Sequence, residues 1–211
     1  MYDRHCSNKP LTKLDKIQTI GDYVIAIGGT FILFILDYLN YIPKEIIKLF
    51  YVGFLLGFPF EFVQPRLGWV YYYKCITYKV APVKTMWIIH SIWDSLILLS
   101  ILNCAILCYG KEIIYKYNSD AVILMSSLGM FGEITIECYQ TIWYYIPTKW
   151  NPCWAVIRGR QMTLQQWHWS ILPFIYYKIL LFLDLLNYKN TKKIYKTIRL
   201  VKQSKVFYGL L

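Results

Sequence analysis

The sequence predicts an all-α integral membrane protein: a helical bundle with four to five transmembrane helices, a candidate re-entrant segment and a basic amphipathic C-terminal tail. Composition is the first reason, because 57% of the 211 residues are hydrophobic and only 17% are charged. Soluble domains carry about 25% charged residues. Patterning is the second reason, because the apolar residues gather in blocks separated by Lys-rich connectors.

Block length sets the number of spans, since about 20 apolar residues are needed to cross a hydrocarbon core about 30 Å thick. One block, 49–60, is shorter than this: its uncharged run is only about 12 residues, a length typical of re-entrant or interfacial segments. Pro59 within it disfavours a helical conformation at the residue before it. This block can cross or dip, so the count stays at four or five. The four longer blocks cover 18–39, 85–110, 121–146 and 165–186.

Three regions follow from this pattern: a polar N-terminal segment (1–17), a single bundle (18–187) and a basic tail (188–211). The tail carries seven basic residues with apolar residues at helical spacing among them, which predicts an amphipathic helix on an anionic membrane surface. Lys and Arg concentrate on the cytoplasmic side of membrane proteins. With four crossings, that rule places both termini in the cytoplasm; with five, the two sides tie.

The composition also indicates which molecules the protein binds. The net charge is +11, but the basic residues lie at block ends and in the tail, where they set orientation and contact lipid headgroups. We therefore expect membrane lipids as partners and no nucleic acid. The six cysteines form no CxxC pair, which disfavours a zinc site or a disulfide framework. We expect no metal and no other cofactor.

Ionisable residues inside the blocks are the candidate functional groups, because such groups are costly in lipid and by default mark a function or a buried pair. His90 and Asp94 are four residues apart and share one helix face. Glu133 and Glu137 have the same spacing, and two glycines just before them would let another helix approach closely. We predict that these four residues line one polar cluster, as catalytic groups if the chain is an enzyme.

Three interpretations of this cluster are open. In a structural one, Lys178 pairs with Glu133 or Glu137, and His90 pairs with Asp94. In a second, the cluster performs acid–base chemistry on a lipid or sterol, with aromatic rings available to stabilise a cation. In a third, the carboxylates form an ion or proton path in a transporter or channel. The chain can also be a non-enzymatic structural protein.

A second group of residues is predicted to bind ligand. Most of it comes from segment 150–169, which is dense in polar and aromatic side chains and contains arginines suited to a phosphate headgroup. The segment can equally be an interfacial loop that anchors the chain. The predicted binding residues are Glu61, Lys178, Trp143, Arg158, Arg160, Trp167 and His168.

The pattern His90-x-x-x-Asp94, followed by Glu133-Ile134-Thr135 and a Trp-rich last helix, resembles the emopamil-binding (sterol isomerase) family. Members of that family are small helical membrane bundles that place a His-x-x-x-Glu pair and a later Glu-Thr helix around a sterol site. The resemblance implies that His90, Asp94 and Glu133 are acid–base and cation-stabilising groups for a sterol. Position 94 is Asp where the family has Glu, and the family's Gly-Asp helix has no counterpart here.

Overall fold

The computed structural model describes residues 12–72, 83–139 and 143–187. The predicted amphipathic tail helix lies outside these residues. Helices α1 to α6 cover Lys13–Tyr38, Glu45–Val63, Val83–Tyr109, Lys111–Ile114, Ser119–Tyr139 and His168–Phe182, and a 3-10 turn at Leu164–Trp167 precedes α6. Strands β1 to β4 cover Val70–Tyr72, Trp143–Tyr145, Cys153–Ile157 and Arg160–Thr163.

The chain is mostly helical, and α1, α2, α3 and α5 each contain a stretch long and apolar enough to cross a membrane. Helix α1 shows the consequence most clearly. Only 11% of the residues in its most apolar 18-residue stretch are buried inside the protein. Side chains such as Val24 and Phe31 are exposed. Apolar surface of this extent is unfavourable in water. The four helices therefore indicate a membrane-embedded protein.

Four predicted block boundaries differ from the structure. Helix α1 begins at Lys13, five residues before the predicted block 18–39 and inside the segment 1–17 that is predicted to precede the bundle. The short block 49–60 is the middle of α2, which continues through Pro59 to Val63, so Phe58 is helical although the proline after it disfavours that conformation. The third block was predicted to reach residue 146, but α5 ends at Tyr139 and the chain enters β2. The fourth block, 165–186, contains only a 15-residue helix, too short for a typical span. The number of crossings stays a prediction.

Helices α2 and α3 pack antiparallel through two glycines one turn apart. A methyl group at Gly53 would lie 2.9 Å from Ser95 Oγ, and one at Gly57 would lie 2.6 Å from Asp94 Oδ2. The Ser95 hydroxyl donates a hydrogen bond to the backbone carbonyl of Phe50. This Gly-x-x-x-Gly contact allows the close helix approach that small residues permit in membranes.

Helices α5 and α6 also pack antiparallel and closely. Gly129 of α5 lies against the carbonyl oxygen of Trp169, which a methyl group at position 129 would approach to 2.3 Å. At the other end of the contact, the backbone N–H of Asn118 donates to the Tyr177 hydroxyl at 3.1 Å. These two contacts fix α6 against α5 along most of its length.

Helix α1 runs parallel to α3. The indole N–H of Trp93 donates to the backbone carbonyl of Asp22 at 3.2 Å, and Gly29 lies against Leu96 one to two turns further along both helices. The starts of α1, α3 and α6 and the ends of α2 and α5 consequently lie at one end of the bundle. The end of α6 points the opposite way. Which end faces the cytoplasm stays a prediction.

Two small antiparallel sheets cap that end, and neither was predicted. Strand β1 pairs with β2, with Val70 opposite Tyr145, and β3 pairs with β4. The β3–β4 turn has positive φ at Arg158 (53°) and Gly159 (76°), as two-residue hairpins require. Asn151 holds the cap in place, because its Oδ1 accepts from the backbone N–H of Gln165 at 2.7 Å. Segment 150–169 is therefore largely ordered structure that covers the bundle.

Candidate functional site

A cavity of about 180 Å³ lies under the cap, at the place where α1, α2, α3, α5 and α6 meet. Helices rise about 1.5 Å per residue, so His90, seven residues after Val83, lies about 10 Å inside the start of α3. Ile97, the deepest lining residue of α3, is about halfway along that helix, so the cavity lies in the capped half of the bundle. The residues that line it are Asp22, Glu61, Gln64, Val70, His90, Trp93, Asp94, Ile97, Glu133, Ile136, Trp143, Tyr145 and Trp169.

His90 bridges three helices. Its Nε2 lies 3.7 Å from Asp22 Oδ2 on α1, and its Nδ1 lies 3.4 Å from Glu61 Oε2 on α2. A ring with both nitrogens facing carboxylates suits the imidazolium form, which has two N–H donors. The predicted His90–Asp94 pair is replaced by these contacts with two other helices, because the ring is directed across the α1–α2 side of the cavity.

Asp94 lies one helix turn deeper and is 5% exposed. It packs directly on Gly57, whose missing side chain leaves the space that the carboxyl group occupies. Asp94 Oδ2 is fully buried and accepts no hydrogen bond from any residue that the structure describes. A buried polar atom left in this state costs about 1–3 kcal/mol.

Glu133 enters the cavity from α5. The Tyr145 hydroxyl on β2 donates to Glu133 Oε1 at 2.7 Å, and both side chains are buried. The cap thus positions an intramembrane carboxyl group through a short hydrogen bond of the kind that carboxylates form. Glu137 is one turn further along α5, and its side chain lies outside the described part of the structure.

Aromatic rings form much of the remaining wall. Trp93 lies on α3, Trp169 on α6 and Trp143 on β2. The Trp143 ring meets the His90 ring edge to face, with 4.8 Å between centroids. Indole faces attract positive charge and also pack on hydrocarbon, so these walls suit a ligand with a polar end and an apolar body.

The charge balance of the cavity is one-sided. Among the described residues that line it are four carboxyl groups (Asp22, Glu61, Asp94 and Glu133) and one imidazole, with no Lys or Arg. Like charges interact strongly where the dielectric constant is low. The cavity therefore favours groups that donate hydrogen bonds or carry positive charge, and disfavours anions.

The structure brings together five predicted site residues at this cavity: His90, Asp94, Glu133, Glu61 and Trp143. It does not bring Lys178 there. The Lys178 ammonium lies 3.8 Å from the centroid of the Tyr117 ring, toward the opposite end of the bundle. The proposed pairing of Lys178 with Glu133 or Glu137 is therefore replaced by a cation–π contact.

The remaining predicted binding residues belong to the cap. Arg158 donates to the Tyr139 hydroxyl at 3.1 Å, and Arg160 donates to the Trp143 carbonyl at 3.3 Å. Trp167 packs edge to face on Trp154. His168 stacks on Phe60 with 5.4 Å between centroids. None of these four residues lines the cavity, although Arg160 supports the strand that carries Trp143.

Sequence reasoning missed five lining residues with polar or aromatic side chains. Asp22 had a usable signal, since it is an acid inside an apolar block, and Gly53-x-x-x-Gly57 marked the helix face that meets α3. The others gave none, because the position of Tyr145 depends on how β2 folds over the bundle and those of the remaining three depend on how α2, α3 and α6 pack together. The missed residues are Asp22, Gln64, Trp93, Tyr145 and Trp169.

The described residues contain no group of three His, Cys, Asp or Glu side chains arranged to hold a metal ion. The fold and cavity define the class: a membrane-embedded helical bundle with an acidic, aromatic-lined cavity under a β cap. Comparison with known proteins finds no matching family model, no matching curated protein and no matching solved structure. The resemblance to the emopamil-binding family stays a hypothesis that is based on short motifs.

Proposed function

We propose that this protein binds a lipid or sterol by its polar end, in the cavity under the cap. One observation carries the proposal: ionisable and aromatic side chains from five helices and the cap converge on a single cavity inside a bundle with an apolar exterior. Ionisable groups inside membrane segments are expensive and usually functional. We further propose that α2 crosses the membrane together with α1, α3 and α5.

The size of the cavity supports binding of a polar end and not of a whole ligand. Pockets that enclose a drug-sized molecule measure about 300–1,000 Å³, whereas this one measures about 180 Å³. Ile136, which lines the cavity, is 40% exposed, so the cavity reaches the outer surface of α5. A hydrocarbon chain would leave by this side and extend into the surrounding lipid.

An ion or proton path is less well supported by the same structure. Such a path needs polar groups along the whole membrane thickness. Beyond Asp94, the buried core toward the opposite end of the bundle is mainly apolar and includes Leu98, Leu102, Ala105, Met125 and Leu180. The polar groups gather at one end, as expected for a binding site.

Lipid retention tests the proposal. We expect the protein, purified in mild detergent, to retain one lipid or sterol class above its share in the host membrane, measured by mass spectrometry of extracted lipids. Ile97→Trp fills the cavity and should abolish this enrichment. Leu107→Trp, on the same helix and 84% exposed, should leave it unchanged. Equal enrichment in the two variants, or none in the parent protein, would contradict lipid binding at this cavity.

The position of His90 between two carboxylates favours a second candidate function, proton transfer to the bound lipid. Protonation of one carbon of a double bond leaves a cation on the other carbon, and loss of a proton from the carbon next to that cation forms a new double bond one position along. The composition of the lipid is unchanged. In heavy water, the retained lipid should then acquire carbon-bound deuterium. We expect His90→Gln to abolish this exchange and His168→Gln, outside the cavity, to preserve it. Retention of lipid without any exchange would restrict the function to binding.

A further inference from the structure

Two side chains that line the cavity, Gln64 and Asp94, make no hydrogen bond with any residue in 12–72, 83–139 or 143–187 that the structure describes. Gln64 follows the last residue of α2 and is 3% exposed, and Asp94 on α3 is 5% exposed. Gln64 Nε2 and Asp94 Oδ2 are both fully buried. Buried polar groups in folded proteins are nearly always hydrogen-bonded, so this pair points to a missing partner.

Gln64 and Asp94 require opposite hydrogen-bonding properties of that partner. An amide nitrogen donates a hydrogen bond, whereas a carboxylate oxygen accepts one. We propose that the cavity binds the hydroxyl group of a neutral amphiphile, whose O–H donates to Asp94 and whose oxygen accepts from Gln64. This inference rests on the proposed lipid-binding function and specifies the chemical class of the ligand.

Other polar ends satisfy only part of this arrangement. An ammonium group has N–H donors for Asp94 but no lone pair for Gln64. An ether oxygen or a ketone accepts from Gln64 but offers nothing to Asp94. A carboxylate or phosphate meets the repulsion of four neighbouring carboxyl groups. Only a group that both donates and accepts, with no negative charge, pairs both side chains.

Photolabelling with matched probes tests the ligand class. The full chain in phosphatidylcholine nanodiscs is irradiated with a dodecanol that carries a diazirine in its chain, and labelled peptides are identified by mass spectrometry. Unlabelled 1-dodecanol, dodecylamine and methyl dodecyl ether then compete. We expect label on the cavity segments of α3 or α5. Unlabelled 1-dodecanol should compete at a concentration at least about tenfold lower than dodecylamine or methyl dodecyl ether, because each lost hydrogen bond weakens binding by about this factor.

A diazirine-bearing dodecylamine, used in parallel, separates two kinds of failure. If neither probe labels the cavity segments, the proposed binding function is itself wrong. If the amine labels them as well as or better than the alcohol, the lipid site stands and the hydroxyl assignment is overturned.

Substitutions at Gln64 provide a test that a merely structural role would not pass. Gln64→Glu replaces the donor with a carboxylate, so the order should reverse and dodecylamine should compete best. Gln64→Met keeps a similar volume without the donor and should remove the advantage of the alcohol over the amine, which keeps the assignment testable if the Glu variant does not fold. Gln161→Glu adds the same charge at an exposed position of β4, outside the cavity, and should preserve the parent order. An unchanged order in both Gln64 variants would overturn the proposal.

Discussion

Replacing Gly129 with alanine is expected to lower the free energy of unfolding by about 1–3 kcal/mol, the cost of inserting a methylene into a well-packed core. The new methyl group would lie 2.3 Å from the Trp169 carbonyl oxygen and 3.1 Å from Pro173 Cγ. A backbone carbonyl and a proline ring cannot rotate out of the way, so α5 and α6 must separate. Denaturant titration of the purified protein in mixed micelles measures the change.

Gly132→Ala is the matched control for this prediction. It lies three residues further along the same helix, and no atom is found within 4 Å of the added methyl group. Alanine stabilises a helix interior by about 0.5–1 kcal/mol relative to glycine, so this variant should be neutral or slightly more stable. If both variants shift stability in the same direction and by the same amount, the close α5–α6 contact does not exist as described.

The Gly129 contact also bears on the cavity. Trp169 lines the cavity from α6, and Glu133 lines it from the helix turn that follows Gly129. Separation of α5 from α6 would move these two walls apart. We therefore expect Gly129→Ala to reduce lipid retention in the fraction of protein that still folds, while Gly132→Ala retains the parent level.

Local signals were sufficient for the part of the site that lies on single helices. The four-residue spacing of His90 and Asp94 and the acid at Glu133 are visible in sequence because hydropathy and helical period are local properties. The residues that contact His90 come from other helices, far away in the sequence. Asp22 and Glu61 reach His90 only through the order in which α1 and α2 pack on α3, which no periodicity specifies.

The cap shows the same limit more strongly. The β1–β2 ladder pairs Val70 with Tyr145 across a long sequence separation, and aromatic residues at membrane boundaries look like interface anchors whether or not they pair. The Lys178 interpretation failed for a related reason. Hydropathy indicates that Lys178 is inside an apolar block, but not that α6 places it beside Tyr117, far from Glu133. Depth within the bundle is set by helix direction and offset, which come from tertiary packing.

Gly57→Ala is the second substitution with a large expected effect, and it acts on Asp94 directly. The added methyl group would lie 2.6 Å from Asp94 Oδ2 and 2.7 Å from its Cβ. Because Cβ is fixed to the α3 backbone, a change of rotamer does not relieve the clash, and α2 must move away from α3. We expect a loss of about 1–3 kcal/mol in unfolding free energy and loss of lipid retention, since Glu61 and Gln64 move with α2.

A double-mutant cycle separates steric strain from loss of the site. Asp94→Gly removes the carboxyl group and the Cβ that the new methyl would strike, so the Gly57→Ala, Asp94→Gly double variant should recover much of the stability lost through the clash while still failing to retain lipid. Coupled neighbours give interaction energies of about 0.5–3 kcal/mol in such cycles. Gly28→Ala on α1, with no neighbouring atom within 4 Å of the added methyl, should be neutral or slightly stabilising, as at Gly132, and should leave lipid retention unchanged. Strictly additive effects at positions 57 and 94 would show that α2 does not hold Asp94 at the cavity, and the geometry on which lipid binding was proposed would then be incorrect.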